Sequence, residues 1–537
     1  MNRKQLSLMT ITVIGVLLSI FIIGQAIAGG PKPEIGAKQI TTQINGQRIW
    51  QFDRYLCKDE LAGRLPATEG GELAAEYISK KFEEWGLEPA GDYSTYYQSF
   101  EFPLWYATAP VNLALEGGPT YEYGTDYTIF SYSGSADTTA EVVFVGYGMS
   151  IPPYNPADYP GCTAPVTGYD DYTGVDVTDK IALVLRHGPQ QDYNWYYYCP
   201  NIVSPGTTVG GTYWFGYKSY NAYLHGAKGM IMVSEYNHGH GPEPGSGTLY
   251  DFHYAEDLGA VWADRSIGEI LVPDLAARQA SIDSTLTPAS GPTGQSMNMI
   301  VAAIFDPDAE TENVLGVIPG TDPKIGDEVV IISAHYDHLG VSPTGDIYAG
   351  ADDDGSGTAV MMEIAKVMAS GNFAPKRTML FAAWGAEEEG LIGSEYYVYD
   401  DPKYPLEKTI AVLQMDMVGV GDRSGLDIYG GTVLTDLFNQ IVANSDEVFV
   451  TAVPFDPNNN SDNAPFFNAG VPAVMVQTSG PHEYYHTPDD TIDTIDPYEL
   501  EQTGRVVGAT AYELAMDATF EVTRSTGFIY RHTHDKD

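Results

Sequence analysis

VVIISAH, residues 329–335, is an apolar and largely β-branched run that stops on a histidine. Its length and composition are typical of a strand buried on both faces, with His335 where the strand leaves the sheet. Three later runs have the same character and also precede side chains that bind metals. They are 378–384 before Glu387 and Glu388, 411–415 before Asp416, and 472–479 before a loop that bears His486. Because ligands bind at the carboxyl edge of open α/β sheets, the pattern predicts an α/β fold with a metal site at that edge.

One further carboxylate, Asp353, lies in the acidic turn GADDDGSG just before a helical pattern. A dinuclear hydrolase needs imidazole and carboxylate ligands, one carboxylate that bridges the ions, and an open position for water. Asp353 can bridge, and the other ligands form two pairs: His335 with Asp416 for one ion, and Glu388 with His486 for the other. With a shared water, each ion reaches the four ligands usual for zinc.

Two neighbouring acids complete the predicted site. Glu387 and Glu388 are adjacent, so one can bind metal while the other faces the water as a general base, and the residues alone leave open which does which. Asp337 lies two residues beyond His335, where its carboxylate is placed to accept the ring N–H and fix the tautomer. The sequence therefore predicts hydrolytic metal chemistry.

The chain is expected to fold as two globular units, because 537 residues exceed one ordinary domain and a hydrophobic content of 43% suffices for large cores. Residues 41–120 and 300–518 are predicted to form the α/β unit, which includes an amphipathic helix within 59–89. Residues 121–299 are predicted to form a small β-rich insertion, and 519–537 a polar tail.

The formal charge limits the classes of partner. Lys and Arg number 27 and Asp and Glu 72, which gives 27 − 72 = −45. Such a surface repels phosphates and anionic lipids, so neither nucleic acid nor a membrane surface is expected as a partner.

Residues 1–28 have the pattern of an export signal, with two basic residues, an apolar run and a final Ala-Ile-Ala. The expected location is secreted, periplasmic or at the cell surface. An uncleaved segment would instead be a membrane anchor, since the run is about long enough to span a bilayer. In an oxidising compartment Cys162 and Cys199 could pair, which would leave Cys57 free.

A rival motif overlaps the predicted site. HEYYH at 482–486 matches the zincin pattern, in which His482 and His486 bind one zinc on a helix and Glu483 is the base. Prolines on both sides leave barely one turn, so a loop is predicted and the zincin is the runner-up. No G-x-S-x-G occurs, which removes the simple nucleophile-elbow hydrolases.

Several blocks of this sequence, in the same order, resemble peptidase family M28, a family of zinc aminopeptidases. They are SAHYD at 333–337, GADDDGSG at 350–357, WGAEE at 384–388, QMDM at 414–417 and YHTP at 485–488. LAGR at 61–64 and its helix also match, and the insertion is similar to a protease-associated (PA) domain through YDDY at 169–172 and HGAKG at 225–229. The resemblance implies a three-layer α/β/α zinc-peptidase domain with a mixed sheet.

The same resemblance assigns roles that the residues left open. It implies that Glu387 is the general base, that Glu388 is the ligand, and that Asp353 bridges two zinc ions and is followed by a cis peptide to Asp354. It implies that Tyr485 hydrogen-bonds the developing oxyanion, a role suited to its position beside a ligand.

The expected function is that of an exported aminopeptidase whose substrates are the N-termini of peptides or proteins. A carboxypeptidase or glutaminyl cyclase of the same fold, the zincin, and a catalytically dead binding protein are the alternatives. The sequence leaves the oligomeric state open.

Overall fold

The computed structural model describes residues 36–131, 133–159, 162, 164–191, 213–237, 255–370, 373–430, 432–446, 448 and 450–520. The predicted export signal, Cys199 and most of the predicted tail lie outside the described residues. Cys57 is a free thiol and Cys162 is disulfide-bonded. Because Cys199 lies outside the described residues, the pairing of Cys162 with Cys199 stays a prediction. Within the described part of the chain, every helix is too short or too polar to cross a bilayer.

The regular elements alternate between strands and helices over most of the chain. The strands are β1 Glu88–Pro89, β2 Tyr97–Leu115, β3 Thr120–Tyr121, β4 Tyr127–Ile129, β5 Ala136–Phe144, β6 Ser150–Ile151, β7 Tyr169–Asp170, β8 Ile181–Leu185, β9 Gly229–Val233, β10 Gly259–Ala263, β11 Gly291–Ile318, β12 Val329–His335, β13 Thr378–Trp384, β14 Thr409–Met415, β15 Gly425–Tyr429, β16 Thr451–Phe455 and β17 Ala473–Thr478. The α-helices are α1 Ala37–Gln43, α2 Gly46–Leu56, α3 Glu69–Trp85, α4 Tyr213–Leu224, α5 Arg265–Leu271, α6 Leu275–Thr285, α7 Gly357–Ser370, α8 Ile392–Glu395, α9 Thr432–Asn444, α10 Asn463–Asn468 and α11 Pro497–Met516.

The four predicted ligand-bearing strands are neighbours in one sheet. β12 is parallel to β13 on one side and to β14 on the other, and β14 is parallel to β17. β11 and β15 continue the sheet with antiparallel pairing. The predicted α/β class with a mixed sheet is therefore confirmed, and the carboxyl ends of these four parallel strands lie side by side.

β12 is buried along its whole length because helices cover both faces of the sheet. Val330 and Ile332 pack into the larger core with α1, α2, α3, α7 and α11. Val329 and Ile331 point the other way, into a core that includes α10 and the turn after α8. The strand therefore reads as a continuous apolar run, as a strand covered on both faces must.

The predicted insertion continues the same sheet. β5, β8, β9 and β10 pair in parallel, and β4 closes the edge in the antiparallel direction. Helices α4, α5 and α6 lie between or after these strands. This region therefore combines parallel strands with helices. The short apolar runs in its sequence indicate strands but do not show whether those strands pair in parallel.

Two long strands connect the two parts of the sheet. β2 and β11 pair from Tyr97 opposite Val314 to Leu115 opposite Met297. Leu104 packs in a core beside the predicted site, whereas the next residue, Trp105, packs in the core of the insertion. The packing thus changes within a continuous strand, and the division at 120 and 121 stays a prediction.

The predicted helix within 59–89 is confirmed as α3, which ends at Gly86 with φ +82°. The residue that ties this region to the sheet is Arg64, which is fully buried. Its guanidinium donates to the backbone carbonyls of Leu56, Tyr336, Ala349 and Gly350 at 2.6–2.9 Å. Because these carbonyls lie on three separate segments, Arg64 fixes the loop after β12 and the turn that leads to Asp353.

Glu312 on β11 gives the fold a testable pH dependence. Burial, followed by repulsion from Glu72 and Glu310, raises the pKa of Glu312 from 4.5 to about 7. Between pH 4.5 and about pH 7 the folded protein therefore keeps a proton on Glu312 that the unfolded chain releases. The stability of the fold consequently falls as the pH rises through this range. We expect Glu312→Gln to unfold at the parent's temperature at pH 4 but to be more stable by about 1–3 kcal/mol at pH 8. Thermal unfolding at both pH values tests this, and an equal offset at both would contradict it.

Candidate metal centre

The five predicted ligands converge at the carboxyl edge of the sheet. His335 ends β12, Asp416 directly follows β14, Glu388 follows β13, His486 lies in the turn after β17, and Asp353 precedes α7. Four of them are buried and Glu388 is partly buried. Side chains separated by up to 151 positions in the numbering from 335 to 486 therefore meet at one place.

Asp353 lies between the two histidines. Its Oδ1 is 3.2 Å from Nε2 of His335, and its Oδ2 is 3.2 Å from Nε2 of His486. Glu388 Oε2 is 3.0 Å from Nε2 of His486, and Asp416 Oδ1 is 3.7 Å from Nε2 of His335. The two predicted pairs are thus adjacent, and each oxygen of Asp353 faces one of them.

The donor set fits divalent cations. Two imidazoles and three carboxylates are ligands that zinc prefers, and Asp353 Oδ2 is buried without a hydrogen-bond partner in the described part of the chain. Among the residues that the structure describes, ligand atoms within 4.8 Å of one another occur in two groups, His335 with Glu387 and Asp416, and His338 with Asp353 and Glu388. A cluster of buried carboxylates needs compensating positive charge, which metal ions supply.

Asp353 is held through its backbone. A cis peptide joins it to Asp354, as the family resemblance implies. The backbone N–H groups of Asp352 and Asp353 donate to the two carboxylate oxygens of Asp490 at 2.9 and 3.1 Å. Asp490 carries no local sequence signal, because its role depends on the fold that brings it to this turn.

Asp354 joins the segments that carry the ligands. Its Oδ2 accepts the backbone N–H of His335 at 3.2 Å. Its Oδ1 accepts the backbone N–H groups of Gly357 at 2.9 Å and Met417 at 3.3 Å. One buried carboxylate thereby links the end of β12, the start of α7 and the segment after β14, which fixes the spacing of the ligands.

Asp337 is buried beside His335, but its carboxylate acts differently from the prediction. The acceptor nearest Nδ1 of His335 is the backbone carbonyl of Asp337 at 3.2 Å, whereas its Oδ1 is 3.9 Å away. The carboxylate instead accepts the backbone N–H groups of Glu387 at 3.1 Å and Glu388 at 3.2 Å. Because β13 has ended, these two N–H groups donate to the Asp337 carboxylate instead of to a neighbouring strand. Asp337 therefore positions the Glu387–Glu388 segment.

Glu387 has the electrostatic environment of a proton acceptor. Burial raises its pKa well above the usual range, His335 opposes this, and the carboxylates of Asp462 and Glu388 add to the rise. Glu387 Oε2 lies 3.9 Å from Nε2 of His335, in the group of ligand atoms that also includes Asp416. A carboxylate with a raised pKa beside the metal ligands suits general base chemistry near neutral pH.

His486 shows the opposite balance. Burial lowers its pKa, but the carboxylates of Glu388 and Asp353 outweigh this and raise the pKa to about 10. The imidazole thus lies in a strongly negative field, which also favours a bound cation.

Tyr485 lies at the open side of the site. Its side chain is about half exposed at 53%, and its ring stacks on that of His486 with centroids 3.7 Å apart. Burial of the hydroxyl, together with Asp353 and Glu388, raises its pKa well above the usual range. The hydroxyl therefore keeps its proton and remains a hydrogen-bond donor.

The HEYYH segment is a turn, so the helix that a zincin requires is absent from 482–486. Nδ1 of His482 lies 2.5 Å from Asp352 Oδ2, and its Nε2 lies 3.1 Å from the carbonyl of Thr478. Both ring nitrogens of His482 therefore contact Asp352 and Thr478, and neither contacts a predicted metal ligand.

His338 is a member of the site that the sequence analysis missed. It is fully buried, its Nδ1 lies 2.6 Å from Glu388 Oε1, and its ring packs edge-on against His486 with centroids 5.9 Å apart. The available signal was its place three residues after His335, but it lies in a loop, where no periodicity marks a side chain as inward.

Comparison with known proteins agrees with this geometry. Residues 313–511 match peptidase family M28. This segment belongs to peptidase family M28. The M28 segment runs from β11 to α11, so it contains the five predicted ligands, Glu387 and Tyr485.

The likeness to individual proteins extends beyond the M28 segment. Aminopeptidase YwaD of Bacillus subtilis strain 168 is 32% identical over 213 residues, which are 38% of this chain and 44% of that relative. The chain thus spans less than half the length of this relative. The structure of an aminopeptidase from Aneurinibacillus sp. strain AM-1 is 25% identical and covers 92% of this chain and 99% of its own, with a TM-score of 0.62. The structure of a zinc aminopeptidase from Bacillus subtilis, 20% identical, covers 88% and 96% with a TM-score of 0.56, which shows the shared fold.

Proposed function

We propose that this chain is an exported aminopeptidase that uses two zinc ions bridged by Asp353. The observation that carries the proposal is the position of that carboxylate, whose two oxygens lie 3.2 Å from two different histidines. His335 and Asp416 would hold one ion, and His486 and Glu388 the other, with one oxygen of Asp353 facing each pair. Zinc is proposed because neutral imidazole and carboxylate donors suit it and because a solved structure of the same fold is described as a zinc aminopeptidase.

The bound ions would polarise the scissile carbonyl and make the attacking water acidic near neutral pH. Glu387 is proposed to take the proton from that water and deliver it to the leaving amine. Asp337 supports this role, because its carboxylate holds the backbone N–H groups of both Glu387 and Glu388. The proton acceptor is thereby fixed relative to the neighbouring ligand.

The surroundings favour a substrate with a free α-amine over one with a free α-carboxylate. In the described residues, ion pairs made by the five ligands and Glu387 involve only histidines. Asp462, which is fully buried, adds a further carboxyl group close to Glu387. A carboxypeptidase would need a Lys or Arg side chain for the terminal carboxylate, whereas a carboxyl group outside the ligand set, such as that of Asp462, complements an ammonium group.

The experiment that tests this function compares aminoacyl p-nitroanilides with free and with acetylated N-termini. We expect hydrolysis of the free-amine substrates, loss of that hydrolysis after chelation, and recovery on addition of zinc. Equal cleavage of the acetylated substrates, or activity that survives complete removal of metal, would contradict the proposal. Cleavage confined to N-blocked dipeptides with a free carboxylate would indicate a carboxypeptidase instead.

Tyr485 is proposed to donate a hydrogen bond to the oxyanion that develops on the scissile carbonyl. We expect Tyr485→Phe to lower kcat about 10- to 100-fold, with little change in KM or zinc content, because only a transition-state contact is removed. The matched control is Tyr484→Phe, a neighbouring tyrosine that is 40% exposed. Steady-state kinetics of both variants test the role, and equal kcat values for the two variants would refute it.

A further inference from the structure

The two carboxylate oxygens of Glu388 have different partners. Oε2 lies 3.0 Å from Nε2 of His486, while Oε1 lies 2.6 Å from Nδ1 of His338. Donor atoms that share one zinc at about 2.0–2.1 Å in a tetrahedral site are about 3.3 Å apart. The distance from Glu388 Oε2 to His486 is close to that spacing. The distance from Glu388 Oε1 to His338 is too short for two atoms that face each other with lone pairs, and it fits a hydrogen bond.

The direction of this hydrogen bond follows from the surroundings of the ring. Glu388 as a carboxylate can only accept, so the proton lies on Nδ1 of His338. Nε2 of His338 is buried and has no hydrogen-bond partner among the described residues. A buried N–H group without an acceptor costs more free energy than a bare ring nitrogen, so Nε2 is the nitrogen without a proton.

The His338 ring has little freedom to turn away. Its backbone N–H donates to the carbonyl of Arg64 at 3.3 Å, and its side chain is fully buried. A Cβ on Gly350, which has φ +57°, would lie 2.5 Å from the ring, so the loop before Asp353 packs directly on it. The donor is therefore fixed by the same loop that carries the bridging carboxylate.

We infer that His338 is a positioning residue that holds Glu388 with one oxygen turned to the ion it shares with His486. The inference rests on the proposed two-zinc site and names the residue that sets the affinity of one of its two positions. Among the described residues, the His338 side chain contacts Glu388 and the ring of His486, and it makes no hydrogen bond or ion pair with His335 or Asp416 on the other side of Asp353. The effect is therefore confined to one ion. Partners that orient metal ligands typically contribute 10- to 100-fold in metal affinity.

The test measures zinc per chain by mass spectrometry after equilibration with metal buffers of graded free zinc. We expect the parent to hold two ions, and His338→Ala to lose one of them at about 10- to 100-fold higher free zinc than the parent while retaining the second. His338→Asn should restore the parent curve, because its amide N–H takes the place of Nδ1–H. His338→Gln should not, since its amide reaches the place of Nε2.

The variants separate this inference from the proposed function. A parent chain that never holds two ions would refute the two-zinc proposal itself. Two ions in the parent with an unchanged curve for His338→Ala, or simultaneous loss of both ions, would refute only the role of His338. If the alanine variant fails to fold by circular dichroism, the comparison of the asparagine and glutamine variants decides the question, and equal curves for those two would overturn the inference.

Discussion

Replacing Glu387 with Gln is expected to lower kcat by about 100- to 10,000-fold while both metal ions stay bound. The glutamine keeps the shape of the side chain and its place beside His335, but its amide cannot accept the proton of the attacking water. Since Glu387 is not one of the five ligands, zinc content measured by mass spectrometry should remain two per chain. Steady-state kinetics on a free-amine aminoacyl substrate, together with that metal analysis, test the assignment.

Glu389 provides the matched control. It is the third glutamate of the same segment, and burial, with Asp337 and Glu388 adding to it, raises its pKa to about 8. Glu389 is therefore largely protonated at neutral pH, and Glu389→Gln should leave kcat within about threefold of the parent. A Glu387→Gln variant that keeps comparable activity would show that another group accepts the proton.

The second large effect is expected at the bridging carboxylate. Asp353→Asn leaves one oxygen and introduces an amide that has no lone pair to offer the second ion. We expect bound zinc to fall from two ions to one or fewer, and kcat to fall at least about 100-fold, because both the shared ligand and the orientation of the water are lost.

Asp346→Asn is the control for this change, since it removes an exposed carboxylate from the loop before Asp353. Its hydroxyl partners, Ser342 and Thr344, lie within the same loop, so zinc content should remain two per chain. An Asp353→Asn variant with two tightly held ions would show that this residue does not bridge.

The strand ends were predictable because their chemistry is local. An apolar run such as 329–334 must be buried, and a histidine directly after it must lie at the edge of the sheet. Parallel strands place their carboxyl ends together, so Asp416 and Glu388 could be assigned to the same site without coordinates. The ligand groups are thus predictable from strand pattern and residue type.

The residues that hold the ligands were harder to predict because they act across the fold. Asp490 receives the backbone N–H groups of a turn that lies 137 and 138 residues earlier in the chain, and no local pattern shows that contact. The carboxylate of Asp337 was expected to accept from His335 and accepts instead from amides that follow another strand. His338 lies in a loop, where neither strand nor helix periodicity indicates that the side chain faces inward.

The predicted insertion shows a different limit. Strands such as Ile181–Leu185 and Gly229–Val233 are short apolar runs, and their parallel pairing depends on the helices that connect them. The change of core at Leu104 and Trp105 occurs within one continuous strand, so no turn or shift of composition marks it. A boundary between two hydrophobic cores that falls inside a strand cannot be predicted from amino-acid composition.

The most direct test of the two-zinc site is anomalous X-ray diffraction from crystals of the zinc-loaded protein, with data collected on both sides of the zinc absorption edge. We expect two anomalous peaks about 3.5–4 Å apart on either side of the Asp353 carboxylate, one beside His335 and one beside His486. A single peak, or two peaks that do not share Asp353, would refute the bridged two-zinc site.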